Sequence, residues 1–266
     1  MGEDPRRQVE ELRALREAFE IGYRLIDTAE MYGEGGAEKM VGKAVAAAVL
    51  AGEIRREDLF IVSKVYPHNA SERGVQSACR RSLERLGLDY LDLYLLHWPG
   101  NHPLRSTVTG FEALRGQGLI RHWGVSNFDV SEMEELWALP TPRHRVVCSV
   151  NQVYYSLSQR GIEFALQPLL TSRRMPVMAY SPTDQGKLAQ DPVLKGIGVR
   201  HGKTAIQIAL AWILARSHRI AIPKAVQKKH LIENFEALGI DLETRDFEEI
   251  DARFPPPARP VPLAML

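Results

Sequence analysis

The sequence predicts an α/β fold of the (β/α)8 barrel type, and three observations predict it. Short β-branched or apolar runs alternate with segments of helical period along the whole chain. The length, 266 residues, is close to the ~250 typical of such a barrel. Finally, the polar residues able to do chemistry fall at the C-terminal ends of the apolar runs, where a barrel gathers its active site.

The strands are expected at Arg24–Ala29, Leu59–Val65, Leu91–Trp98, Ile120–Asn127, Val146–Tyr155, Pro176–Pro182 and Ile220–Ala225. The chain opens on a helical segment over Pro5–Ile21. A helix begins at Ser71, a natural N-cap, with Val75, Ala78, Cys79, Leu83 and Leu86 on one side. Another begins with Thr204 and Gln207 at capping-box spacing and turns Ile206, Ala209, Leu210 and Ile213 inward. Strand–helix alternation of this kind forces parallel pairing, because each return crossing needs a helix. Pro255–Pro257 ends the last helical pattern, and a single domain over residues 1–266 is expected.

Seven repeats are legible where a closed barrel needs eight strands. The expectation is a chain that lacks the first strand, whether through a misplaced start or a truncation. A barrel short of a strand would also leave unpaired edges. A doubly wound sheet is the alternative, and it would announce itself by G-x-G-x-x-G after its first strand. The nearest match, Gly33-Glu34-Gly35-Gly36-Ala37-Glu38, puts Glu38 where the third glycine belongs, so that fold is rejected.

Composition narrows the function. Apolar residues at 45% and charged residues at 25% describe an ordinary globular chain. The 34 Lys+Arg nearly cancel the 33 Asp+Glu, which argues against a nucleic-acid or acidic-membrane surface. Cys79 and Cys148 have no metal-ligand spacing and read as buried free thiols. The longest apolar stretch, around Ala205–Ala215, is too short to span a bilayer, and no signal peptide is legible. A cytoplasmic monomer is the expectation.

The strand ends supply Asp27, with Tyr32 in the loop after it, then Lys64, then His97 followed by Trp98. Later ends supply Ser126-Asn127, Gln152, Tyr180-Ser181 and Lys224. Singly, Asp27 could be a turn cap, Tyr32 a rim aromatic and His97 a core histidine. Lys64 is harder to dismiss, because a lysine within Phe60-Ile61-Val62-Ser63-Lys64-Val65 needs a buried partner, and Asp27 is the obvious one. Together the four suit carbonyl reduction. Hydride addition makes an alkoxide that needs a proton; a free tyrosine with a pKa of about 10 is a poor acid at neutral pH. A lysine cation beside it stabilises the phenolate and lowers that pKa, and a carboxylate behind the lysine keeps it charged. A histidine facing the same place can orient the carbonyl oxygen.

Leu25-Ile26-Asp27-Thr28-Ala29-Glu30-Met31-Tyr32-Gly33, Val62-Ser63-Lys64, Leu95-Leu96-His97-Trp98-Pro99 and Gly124-Val125-Ser126-Asn127-Phe128 resemble the signature segments of the aldo-keto reductases. The resemblance covers essentially the whole chain. It is greatest to the bacterial methylglyoxal reductases, through Asp27 to Glu38, Val62-Ser63-Lys64-Val65-Tyr66-Pro67 and Ala221-Ile222-Pro223-Lys224-Ala225. It implies NADPH-dependent reduction of aldehydes, ketones or dicarbonyls, with Tyr32 as proton donor. It implies, too, that Ser126, Asn127 and Gln152 hold the nicotinamide amide, that Tyr180 stacks on the ring, and that Ser181 lies with them. Lys224 matches the cation for the 2′-phosphate, and Glu233 and Asn234 match the adenine-end contacts.

Two departures qualify the match. A hairpin, a first strand and a Gly-Thr-Trp stretch that the family carries ahead of Met1-Gly2-Glu3-Asp4 are absent. At the phosphate end the usual serine is Ala225 and the usual arginine is His230, with Lys228 and Lys229 beside it. NADPH is therefore expected to be preferred over NADH, less sharply than with the arginine. Tyr66, His68 and Trp98 are expected to line the substrate pocket, left open by a short tail after Pro257. Two rivals are a weak or inactive cofactor-binding protein on the same scaffold and a metal-dependent hydrolase. The second is disfavoured because the eight histidines include no H-x-H pair.

Overall fold

A computed structural model of the chain describes residues 2–140 and 147–266. By internal contacts it divides into two compact units. One comprises Met1–Ser126, Glu132–Ser149 and Val226–Lys228; the other comprises Asn127–Ser131, Val150–Ala225 and Lys229–Leu266.

The first unit alternates helix and strand: α1 (Gln8–Ile21), β1 (Leu25–Asp27), α2 (Gly36–Leu50), β2 (Phe60–Val65), α3 (Glu72–Leu86), β3 (Leu91–Leu96), α4 (Leu104–Gly116) and β4 (Ile120–Ser126). Helix α5 (Val130–Ala138) follows and buries Met133 and Leu136. The strands pair in parallel and in chain order, with Ile26 beside Ile61, Val62 beside Leu93 and Leu93 beside His122. Strands β2 and β3 are buried almost throughout, as their continuous apolar runs require when both faces are covered. Ser71 caps α3 by accepting the Gly74 N–H at 3.1 Å, and Val75, Ala78, Cys79, Leu83 and Leu86 are buried as the helical period predicts. Helices α2 and α3 meet closely at Gly42, where a Cβ would stand 2.3 Å from the Leu86 carbonyl oxygen. Any larger residue there would push the two helices apart.

In the second unit, β5 (Asn151–Tyr154), α6 (Leu166–Ser172), β6 (Val177–Tyr180), α7 (Pro192–His201), α8 (Ala205–Leu214), β7 (Arg219–Ile222), α9 (Lys228–Glu236) and α10 (Thr244–Arg253) follow in order. Here too the strands are parallel, with Gln152 beside Met178 and Met178 beside Ile220. The Thr204–Gln207 capping box forms. Within α8, Ala209, Leu210 and Ile213 are buried, but Ile206 is only half-buried and Ile208 points inward instead.

The expected strands all form, each shorter than its apolar run. The ladder nevertheless continues a step further at the ends that matter. Thr28 donates its N–H to the Val62 carbonyl at 2.9 Å, and His97 donates to Val65 at 3.0 Å. Of the expected fifth strand, Val146 lies outside the described residues. Cys79 is buried, whereas Cys148 is only half-buried. Among the described residues no helix is long and apolar enough to cross a membrane.

Candidate active site

The C-terminal ends of β1, β2 and β3 bring Asp27, Tyr32, Lys64 and His97 together. Lys64 is fully buried. Its ammonium donates to Asp27 Oδ2 at 2.6 Å, to the Thr28 carbonyl at 2.9 Å and to Tyr32 Oη at 3.1 Å. An ammonium has three protons, so this set uses them all and fixes the Nζ between carboxylate and phenol. Parallel register explains the arrangement. Asp27 pairs with Val62 on β2, two residues before Lys64, so carboxylate and ammonium reach the same end of the sheet on neighbouring strands.

Electrostatics give each group a state. Burial disfavours the charged form of Lys64, but the Asp27 carboxylate and the Tyr32 oxygen more than offset it, and its pKa is raised. The sequence predicts a Tyr32 pKa lowered by that cation. The net direction is instead upward, because burial of the phenol outweighs the pull of Lys64. Tyr32 thus stands protonated at neutral pH, with its cation already in place for the phenolate that proton release would leave.

His97 is buried, its ring edge-on to Tyr32 with centroids 5.7 Å apart. Burial, with Lys64 adding to it, pushes the imidazole down to about 3, so His97 is neutral across the physiological range. A neutral imidazole beside a phenol can hydrogen-bond a carbonyl oxygen without competing as a second acid.

Three aromatic residues stand next to this group. Tyr66 stacks on His68 at 4.7 Å and meets Trp98 edge-on at 5.9 Å, and Trp98 lies 4.9 Å from the His97 ring. The sequence placed Tyr66, His68 and Trp98 here from strand order alone. It missed Glu30 and Glu38, buried carboxylates beside strands β1 and β2, because no spacing rule marks a carboxylate that bonds across strands.

The remaining candidates lie elsewhere in the chain. Ser126 closes β4 in the first unit and is buried. In the second unit Asn127 has φ of 57°, donates its backbone N–H to the Gln152 carbonyl at 2.8 Å and accepts the Tyr180 hydroxyl at 3.0 Å on its side-chain oxygen. The Tyr180 ring stacks on Tyr154 at 5.5 Å, and Ser181 has φ of 46°. Non-glycine residues held at positive φ cost energy and collect at ligand sites. Gln152 is the second residue of β5 rather than its end. Lys224 is exposed and lies two residues past the end of β7 rather than closing it, because Pro223 offers no N–H to extend the ladder. His230 is exposed; Glu233 and Asn234 are half-buried, and Glu233 pairs with Lys229 at 3.7 Å. Lys228 pairs with Glu20 at 3.8 Å.

Comparison with known proteins adds the following. A family model described as the aldo/keto reductase family matches residues 2–253. The methylglyoxal reductase YeaE of Escherichia coli (strain K12) is 44% identical over 271 residues, covering 100% of this chain and 92% of its own length. The glyoxal reductase of Bacillus subtilis (strain 168) is 36% identical over 243 residues, covering 91% of this chain and 83% of its own. Among solved structures, an aldo-keto reductase from Klebsiella pneumoniae in complex with NADPH matches with a TM-score of 0.93 and 40% identity, covering 100% of this chain and 92% of that one. The likeness shows the fold class expected from the sequence, the (β/α)8 type, of which this chain has seven described strands.

Proposed function

Since the chain belongs to the aldo/keto reductase family, we propose that it reduces small aldehydes, ketones or dicarbonyls of the methylglyoxal type to alcohols, with NADPH as reductant and Tyr32 as proton donor. The observation that carries this reading is the Lys64 ammonium set between Asp27 Oδ2 at 2.6 Å and Tyr32 Oη at 3.1 Å.

NADPH, when bound, supplies the hydride. The donor set of the second unit suits such a cofactor. An amide at Asn127 and an aromatic face at Tyr180 are tied together by a hydrogen bond of 3.0 Å, with Gln152 and Ser181 beside them. Ser126, an amide partner by family resemblance, closes β4. Lys224 and His230 offer exposed groups for a phosphate, and Glu233 and Asn234 would serve the adenine end.

The chain's own residues do the rest. His97, neutral, orients the carbonyl oxygen by a hydrogen bond. Tyr32 gives its phenolic proton to that oxygen as negative charge develops there. Lys64 stabilises the phenolate left behind, and Asp27 holds Lys64 charged and in place. Tyr66, His68 and Trp98 form an aromatic wall against which a small substrate would lie.

The test is direct. The purified protein is given methylglyoxal and NADPH, and absorbance reports cofactor oxidation. Steady oxidation with alcohol formation is expected, with kcat/KM higher for NADPH than for NADH. No oxidation with methylglyoxal or with simple aldehydes and ketones would replace this reading with one of cofactor binding alone. Equal or better kcat/KM with NADH would overturn the cofactor preference.

A further inference from the structure

Glu30 lies two residues before Tyr32 and is only 7% exposed. Its backbone N–H donates to the Lys64 carbonyl at 3.4 Å. Its carboxylate Oε1 accepts the Tyr66 N–H at 2.7 Å and the Asn69 side-chain amide at 3.1 Å. One residue therefore grips the end of β2 on both sides of Val65. Tyr32 is tied to the same turn, since its N–H donates to the Ala29 carbonyl at 3.1 Å. The two halves of the Lys64–Tyr32 contact are thus joined through Glu30.

A second carboxylate braces the arrangement. Arg85 stands 4.0 Å from Glu30 Oε2 and donates to Glu38 at 2.5 Å, and Glu38 takes the hydroxyl of Ser63, the residue before Lys64, at 2.6 Å. Arg81 is also 4.0 Å from Glu30. Ion pairs at that separation are weak, whereas the hydrogen bond from the Tyr66 N–H, at 2.7 Å, is short and directional. Reach, not charge, is the property of Glu30 that the structure uses.

We propose that Glu30 is a positioning residue for the reduction, fixing the approach of Tyr32 to Lys64 by clamping the loop after β1 to the end of β2. This rests on reading Tyr32 as the proton donor. It adds a residue that touches neither substrate nor cofactor.

Two conservative variants separate reach from charge. Glu30→Gln keeps an acceptor at the same distance without the charge; Glu30→Asp keeps the charge but is one methylene short. With methylglyoxal, Glu30→Gln is expected to keep kcat within about threefold, and Glu30→Asp to lose about 10- to 100-fold in kcat with KM for NADPH unchanged. The opposite order would show that the ion pairs with Arg81 and Arg85 are what matters, and would overturn the proposal. So would equal losses in both variants, or none.

A second readout does not depend on turnover. The Tyr32 phenol, which faces Lys64, Asp27 and His97, is titrated by ultraviolet absorbance against the same protein carrying Tyr32→Phe. Loosening the Lys64 contact should raise the phenol pKa in Glu30→Asp and leave it in place in Glu30→Gln. Identical titrations in all three proteins would overturn the proposal. A wild-type chain without reductase activity would remove the proposed function, while this titration would still decide the role of Glu30.

Discussion

Strands β2 and β3 carry a buried charge cluster at each end, and the two ends differ in what they can do. At the N-terminal end Asp92, 1% exposed, accepts the Ile61 N–H at 2.9 Å and Arg56 at 2.8 Å, with Arg121 at 3.3 Å. The same two guanidinium groups each lie 4.1 Å from the Tyr90 ring centroid. At the C-terminal end Lys64 joins Asp27 to Tyr32. Both clusters pair a carboxylate with a cation across neighbouring strands. Only the second sets its cation on a phenol hydroxyl, Tyr32 Oη; at the first the guanidinium groups, which do not titrate in the useful range, meet the face of the Tyr90 ring. Burial and ion pairing alone make a brace; a phenol at the end of the chain makes a candidate acid.

Four measurements would break or sharpen that contrast. Tyr32→Phe removes one hydroxyl and is expected to lower kcat by about 1000-fold or more while NADPH binding changes by no more than about twofold. Near-full turnover, followed by cofactor oxidation, would erase the distinction between the two ends. Asp92→Ala leaves Arg56 and the Ile61 N–H without their buried acceptor. It should cost about 3 kcal/mol in urea unfolding, with kcat at 25 °C close to wild type. A variant that loses turnover but not stability would reverse the roles assigned here.

The third measurement uses pH. His97 is held down to about 3 from 6.5, so the unfolded chain binds its proton first. Its contribution to stability is therefore complete above about 6.5. Below that it is lost at about 1.4 kcal/mol per pH unit until the folded value is reached. The stability difference between wild type and His97→Asn should shift in that sense on acidification, and a constant difference would mean that His97 is not held neutral. The smallest effect lies away from both ends: Ser71→Ala should cost about 1 kcal/mol through the lost cap and leave kcat untouched.

Much of this was legible in the sequence, for reasons that name particular residues. Parallel strands in chain order point their C-terminal ends the same way, so Asp27, Lys64 and His97 could be grouped from strand order, and Tyr32 from its loop. A capping residue such as Ser71 or Thr204 is a local signal and was read correctly. Other features depend on surroundings that the sequence does not display. The direction of the Tyr32 pKa turns on how deeply the ring is buried against a cation known to be near. Glu30 and Glu38 act by reaching across strands, and nothing in their spacing reveals a partner. Gln152 and Lys224 were placed at strand ends, but the apolar runs are longer than the strands they form.

The Lys64 geometry has a chemical corollary. Amines condense with aldehydes and ketones to form imines, and a lysine beside a carbonyl-reducing site is exposed to that reaction. Condensation requires a neutral nitrogen with a lone pair to offer. Lys64 is held as an ammonium with every N–H engaged and no surface open to solvent. In the proposed reaction, the ion pair that readies Tyr32 as the proton donor would therefore also protect its own lysine from covalent capture by the carbonyl substrate.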